Sequence, residues 1–313
     1  MELPERPPFG PDHQPQRTWV SVNSEHHLHH GAPDDKPKKK QFDLINRGVK
    51  RSTPLGTASF IGMRLADIPW QYHLLHNGAA ERALSAVGLS TLAATTATTT
   101  TGIALLDKLD LPLPRLLLLA MAAGSSAKQI FWLTYLSAEE FPVSAAVPVG
   151  LFNTAINSLN SILIAGAATS SLSVGSSGPR LSLLLGENSS YGDLSLSLLA
   201  GALLYAAGIT IETVSEYQRL RFKQAARNQG KVCKVGLWRW ARHVNYFGYA
   251  LWRGGYAMVG CGWAGGLLMG LWMGWDLSSR AVSVLDEYCS KRYGEQWVQF
   301  KKEVPYRIIP GVY

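Results

Sequence analysis

Two carboxylates, Glu212 and Glu216, stand one helical turn apart and are followed on the same face by Arg219 and Lys223. After a basic loop the chain reads Gly236-Leu237-Trp238-Arg239-Trp240-Ala241-Arg242-His243-Val244-Asn245-Tyr246-Phe247-Gly248-Tyr249 and then turns apolar. Arg239, Arg242, His243, Asn245 and Tyr246 thus place cations and hydrogen-bonding groups where the chain re-enters an apolar phase. A phosphate-rich cofactor arriving from water would meet the cations first and the aromatics deeper. The same residue types also build a positively charged anchor with an aromatic belt at a membrane surface. Residue chemistry alone leaves both readings open.

Two further cations lie in apolar surroundings: Lys128 between Ala127 and Gln129, and Arg253 among Leu251, Trp252 and Gly254. An ionisable group at membrane depth costs several kcal/mol unless paired or wet, so each marks a site or a cavity. Snorkelling to the interface is the alternative for Arg253. The string Gly260-Cys261-Gly262-Trp263-Ala264-Gly265 matches a dinucleotide-binding pattern by letter. That pattern has meaning only between a strand and a helix. Here Gly266, Gly270 and Gly274 extend a four-residue spacing that lets helices approach closely, so packing is the expected role.

The string GLWRWARHVNYFG resembles the GLWRYSRHPNYFGE signature of the DUF1295 and steroid 5-alpha-reductase C-terminal superfamily. That group holds membrane steroid, enoyl and sterol reductases, and isoprenylcysteine carboxyl methyltransferases share a related RHPxYxG element. The resemblance continues upstream in GITIETVSEYQRLRFK and downstream in YGEQWVQFKKEVPYRIIPGVY, covering about 195–313. It implies a helical membrane fold with NADPH held by the C-terminal half. Glu212 and Glu216 would lie on the adenosine side, Lys223, Arg239 and Arg242 at the phosphates, and Asn245 and Tyr246 by the ribose and nicotinamide, with His243 matching the motif histidine. Val244 replaces the usual proline. Tyr249 stands where reductases carry a glutamate near the nicotinamide.

The activity implied is NADPH-dependent reduction of a carbon–carbon double bond in a lipid, sterol or enoyl substrate, with the proton donor coming from the N-terminal spans. Two alternatives stand beside it. One is an S-adenosylmethionine-dependent methyltransferase of the isoprenylcysteine type, and the other a catalytically inactive protein of the same fold.

The elements that must position these groups are membrane spans. Of 313 residues 47% are hydrophobic, but residues 1–82 are rich in His, Lys, Pro and Asp, whereas much of 85–275 is apolar. A span needs about 20 mainly apolar residues. Candidates are 85–106, 115–136, 143–168 and 194–213, with 244–276 long enough for a tight pair of short spans. Residues 55–80 read as an interfacial segment. The expected fold is an all-α polytopic membrane bundle of about six transmembrane helices. It divides into a disordered basic tail (1–52), an N-terminal transmembrane region (53–193) and a C-terminal membrane domain (194–313).

The net charge of +8 sits in the tail, the 214–243 loop and the C-terminus, as the positive-inside rule distributes it. Nucleic acid is therefore excluded as a partner. The 169–193 loop carries a single basic residue, Arg180, and a sequon at Asn188-Ser189-Ser190. Both termini are thus expected in the cytoplasm, with the protein in the endoplasmic reticulum. The tail's His26, His27, His29 and His30 read as part of a flexible polar tract rather than a metal site, and Cys233, Cys261 and Cys289 are too scattered for a disulfide framework.

Overall fold

The computed structural model describes residue 49 and residues 51–92, 100–137, 139–172, 179–180, 182–185 and 195–313. The tail with its histidines and the sequon at Asn188 lie outside the described residues, which are mostly helical and contain no strand.

Helix α1, Pro54–His76, opens on a proline whose fixed φ suits the first helical turn. Its buried residues are Gly56, Phe60, Arg64, Asp67, Gln71, Leu74 and Leu75, a single face at helical spacing. Residues 55–80 contribute most of this helix, which packs along α3 and α4 with Arg64, Asp67 and Gln71 turned inward. The span expected at 85–106 is corrected. Helix α2 covers only Ala79–Ala86, and Ser90 and Leu92 bond instead to the backbone of Ala167 and Ala165 at 2.9 and 2.8 Å. Gly88 sits at φ 76° and the following stretch is rich in threonine, whose branched Cβ disfavours helix. Residues 93–99 of that stretch lie outside the described residues.

Helix α3, Leu113–Phe131, continues into one wide turn at Trp132–Leu136. Helix α4 is Val143–Leu163, and α5 is Leu196–Gln224, capped by the Ser195 hydroxyl, which accepts from the Ser197 amide. Helix α6, Val244–Asp276, is two arms joined at Cys261 and Gly262, whose dihedrals are non-helical. Gly262 has φ 69° and ψ −166°, a conformation open to glycine and hardly to anything else. Gly254 of the first arm approaches Gly266 and Gly270 of the second, so the arms run antiparallel. The segment 244–276, expected to fold back on itself, forms this hairpin, and the glycines at 254, 266 and 270 pack its arms together. A further wide turn leads to α7, Val282–Tyr293, and α8, Glu295–Glu303.

Three helical stretches, Leu113–Leu136, Leu196–Gln224 and Val244–Tyr293, are long and apolar enough to cross a membrane. Their outward faces carry exposed Leu203, Leu267, Leu268, Leu271 and Trp275, the surface a lipid phase accepts and water does not. The central core joins Leu118, Leu119 and Ala122 of α3 to Trp252, Tyr256 and Val259 of α6. Helices α5 and α6 form the most extensive pairing, because a side chain at Gly201, Gly208, Gly248 or Gly255 would strike the opposite backbone.

Loops gather at two ends. At one, the Glu140 amide donates to the Val49 carbonyl and the Phe141 amide to the Thr53 hydroxyl, while Arg51 pairs with Glu140. At the other, residues 90–92 meet 165–167, Arg115 pairs with Glu81, and the Ser171 amide donates to Gly260 at the hairpin tip.

Candidate functional site

Because α5 and α6 touch backbone to backbone at Gly208 and Gly248, the side chains flanking those glycines are forced together. Glu216 accepts from Arg219 at 2.8 Å on its own helix and from the Asn245 amide at 2.8 Å across the interface. One turn deeper, Glu212 is ion-paired with Lys128 of α3 and accepts from the Trp252 indole at 2.7 Å. Lys128 is thus paired, which answers the burial cost that singled it out.

The motif's cations are put to different uses. The Arg242 guanidinium is buried and donates to the carbonyls of Val304 and Pro305 at 2.6 and 2.9 Å. Burial, then the nearby Arg307, pulls its pKa down. Lys223 bonds to the Lys231 carbonyl and the Tyr293 hydroxyl, with its ammonium 4.7 Å from the Tyr293 ring. Arg239 is exposed. His243 is buried, stacked on Tyr246 with ring centroids 5.4 Å apart, and its amide donates to the Arg307 carbonyl. Burial, reinforced by Arg242, lowers its pKa to about 4, so the ring is neutral at pH 7.

Of the eight residues marked by the sequence, the structure joins Glu216 to Asn245 directly and His243 to Tyr246 by stacking. Glu212 sits one helical turn from Glu216, and Arg242 and His243 are fixed by the 304–307 segment. Lys223 and Arg239 are set apart toward the basic loop. Two surface grooves of about 470 and 480 Å³ line that loop through Arg221, Phe222, Asn228 and Val235, and through Lys231, Lys234 and Gln296. None of the eight lines either groove.

The partners of Arg253, which the sequence marked only by its apolar surroundings, lie deeper along α6. Asn245, Tyr249 and Arg253 follow each other at one-turn spacing. The Arg253 Nε donates to the Tyr249 hydroxyl at 3.2 Å, and its guanidinium lies 4.2 Å from the Trp252 ring centroid. Its Nη2 meets Asn153 Oδ1 of α4, which also accepts from Gln129 of α3 at 2.7 Å. Beside it Arg64 donates to Asp67 at 3.1 Å and to Ser126 at 2.9 Å, and Asp67 accepts from Gln71 and Asn157. Two sequence signals touch this network: Arg253 in its apolar surroundings, and the helical spacing of Arg64, Asp67 and Gln71.

A nucleotide cofactor can be tested against these groups. Asn245 Oδ1 is buried without a partner, next to the Glu216 carboxylate, a pairing suited to ribose hydroxyls or an amine. Of the three cations expected at phosphates, Arg242 is committed to main-chain carbonyls. The donor set fits a nucleoside better than a pyrophosphate.

The comparisons with known proteins concur with the family motif. Residues 181–304 match the family described as "Protein of unknown function (DUF1295)". The chain is 33% identical over 257 residues to "Probable O-methyltransferase ustE" of Ustilaginoidea virens, covering 82% of this chain and 86% of that protein. It is 28% identical over 161 residues to a Delta(14)-sterol reductase of Neurospora crassa, covering 37% of this chain and 33% of the reductase. It is 31% identical over 88 residues to the 7-dehydrocholesterol reductase of Xenopus laevis, covering 28% and 18%. The chain thus spans a third or less of these sterol reductases. With its signature motif, its apolar helices and a relative matched along most of both chains, this protein belongs to the DUF1295 family of the steroid 5-alpha-reductase-like superfamily of membrane proteins.

Proposed function

We propose that this protein is a membrane-embedded O-methyltransferase that uses S-adenosylmethionine and acts on an apolar substrate entering from the bilayer. The observation that carries this reading is the extent of likeness. The methyltransferase-named relative matches through both halves of the chain, whereas the two sterol reductases described above match 37% of it or less. Two local features support it. Tyr249 replaces the carboxylate of the reductases, and Arg242 is occupied by the carbonyls of Val304 and Pro305. When bound, the cofactor supplies an electrophilic methyl group on a sulfonium. Glu216 and Asn245 would hold its polar nucleoside and amino-acid groups, and the aromatic rings of Tyr246 and Tyr249 would favour the cation.

NADPH-dependent double-bond reduction is the second reading, favoured by the sterol reductase relatives and the shared C-terminal motif. Equilibrium binding to detergent-solubilised protein separates the two. S-adenosylmethionine should bind, and Asn245→Ala should weaken it about tenfold, the value of one charge-assisted contact of about 1.5 kcal/mol. Binding of NADPH without S-adenosylmethionine would replace the transferase by the reductase.

The membrane arrangement proposed with it has six crossings: α1, α3, α4, α5 and the two arms of α6. It places 49–53, 137–142 and 214–243 on the cytoplasmic face of the endoplasmic reticulum. The contact of Thr53 with Phe141, and of residues 90–92 with 165–167, supports this pairing of loops. A tag on the N-terminal tail should be digested in sealed microsomes without detergent; protection of the tag would reverse the orientation.

A further inference from the structure

The polar network between α1, α3, α4 and α6 is not balanced in charge. Two cations, Arg64 and Arg253, face one carboxylate, Asp67, while the neighbouring Lys128 is already paired with Glu212 of α5. Arg64 and Arg253 are 0% and 1% exposed, and the two guanidiniums repel each other. A buried cation left without a counter-charge costs several kcal/mol. A helix bundle keeps such a group only where something offsets it.

The hydrogen bonding is incomplete at the two arginines and along the α4 face toward the hairpin tip. Arg253 Nη1 and Arg64 Nε are buried without an acceptor. Both polar atoms of the Asn160 side chain, itself 1% exposed, and Asn157 Oδ1 are buried without a partner. Native interiors leave few polar atoms unpaired, and a guanidinium nitrogen with no acceptor can still donate to an oxygen. An acceptor that carries negative charge answers both deficits at once. A neutral hydroxyl answers only the hydrogen bond.

We propose that Arg253 and the polar groups around it bind the ionised oxygen acid of an apolar substrate, a carboxylate or a phenolate. The ring of Trp252 against the guanidinium and the apolar helices around it exclude water, so the anion's partner is the arginine rather than solvent. The site deepens the transferase reading, on which it rests for the reaction it serves. An acceptor that arrives ionised needs no general base. Its oxygen lone pair would form the new O–CH₃ bond as the donor's C–S bond breaks, and the C–S bonding pair would go to sulfur, leaving a neutral thioether. Tyr249, bonded to Arg253 and one turn from Asn245, links the anion site to the nucleoside groups along one face of α6.

The test is calorimetric binding at pH 8 to the full chain in a non-ionic detergent. The probes are dodecanoate, methyl dodecanoate and a 4-dodecyl-2-nitrophenolate. Either anion should bind at least about tenfold more tightly than the ester, and the preferred anion names the acid class. Arg253→Met should erase the difference and Arg253→Lys should keep part of it. Equal binding of ester and anions by the wild type would overturn the proposal, and needs no variant to fold. Anion preference surviving in Arg253→Met would overturn it too. S-adenosylmethionine binding is read separately. If it is absent while anion preference persists, the transferase reading fails and the anion site stands; if it is present without anion preference, the reverse holds.

Discussion

The groups at the α5–α6 junction and those buried among α1, α3, α4 and α6 are built from the same residue types but hold their charges differently. At the junction, Glu216 answers Arg219 and Asn245, Arg242 is taken up by carbonyls, Lys223 is bonded to Lys231 and Tyr293, and Arg239 faces water. In the inner network, one cation exceeds the carboxylates and several donors and acceptors have no partner. A satisfied cluster stabilises a wall; an unsatisfied one is held in place by the wall around it. Under the proposed reading, the junction serves the cofactor through Glu216 and Asn245, and the interior serves the acceptor through Arg253.

Removing a carboxylate from the interior should have the largest effect. Asp67→Ala leaves Arg64 without its ion pair, and breaking a buried pair costs about 3–5 kcal/mol. Unfolding in detergent should show this loss, and Arg64→Leu combined with Asp67→Leu should recover most of it. If Asp67→Ala alone is neutral, the interior is wetter than its burial indicates.

Acid should weaken the junction next. His243 is held neutral in the fold, with its pKa lowered from 6.5 to about 4. The unfolded chain therefore takes up a proton at higher pH than the folded one. The stability that depends on neutral His243 is intact above pH 6.5 and is lost as pH falls from 6.5 toward 4, by up to roughly 3 kcal/mol. Midpoint denaturation at pH 7 and pH 5 measures it, and His243→Gln should flatten that difference.

Gly208→Ala should cost about 1–3 kcal/mol, because the added methyl would meet the Trp252 amide nitrogen at 2.4 Å and overpack the interface. It should also part Glu212 from Trp252, visible as a shift in tryptophan fluorescence. The smallest effect is expected at Lys234, whose pair with Glu303 is half in water. Lys234→Ala should change the melting temperature little, since exposed pairs contribute about 0–1 kcal/mol. A large change there would place Lys234 in the binding machinery.

The same contrast explains what could be read from the residues alone. Charges that line a membrane surface stand out between apolar stretches, so Arg239, Arg242, the 214–243 loop and the signature motif were legible. So was the hairpin, from its length and its glycines. Helix α1 was not, because Arg64, Asp67 and Gln71 lower its average hydrophobicity while pointing inward. A composition window reads such a helix as interfacial. Conversely, the Thr- and Ala-rich 85–106 stretch passed as a span by composition although its described backbone is largely non-helical. Which cation is satisfied and which is not depended on residues up to 100 positions away, as Asn153 is from Arg253. No local pattern carries that.

The turn at Cys261 and Gly262 has a bearing on how the site is completed. Gly254 faces Gly266 and Gly270 across it, so the chain after residue 262 runs back alongside the first arm, toward the end where Arg242 and His243 lie. Residues 304–307 reach both of them there. A bulky residue at position 262 cannot hold φ 69° and would favour one unbroken helix. That helix would carry residues 304–307 away from Arg242 and His243. A single glycine thereby decides whether the last wall of the site closes.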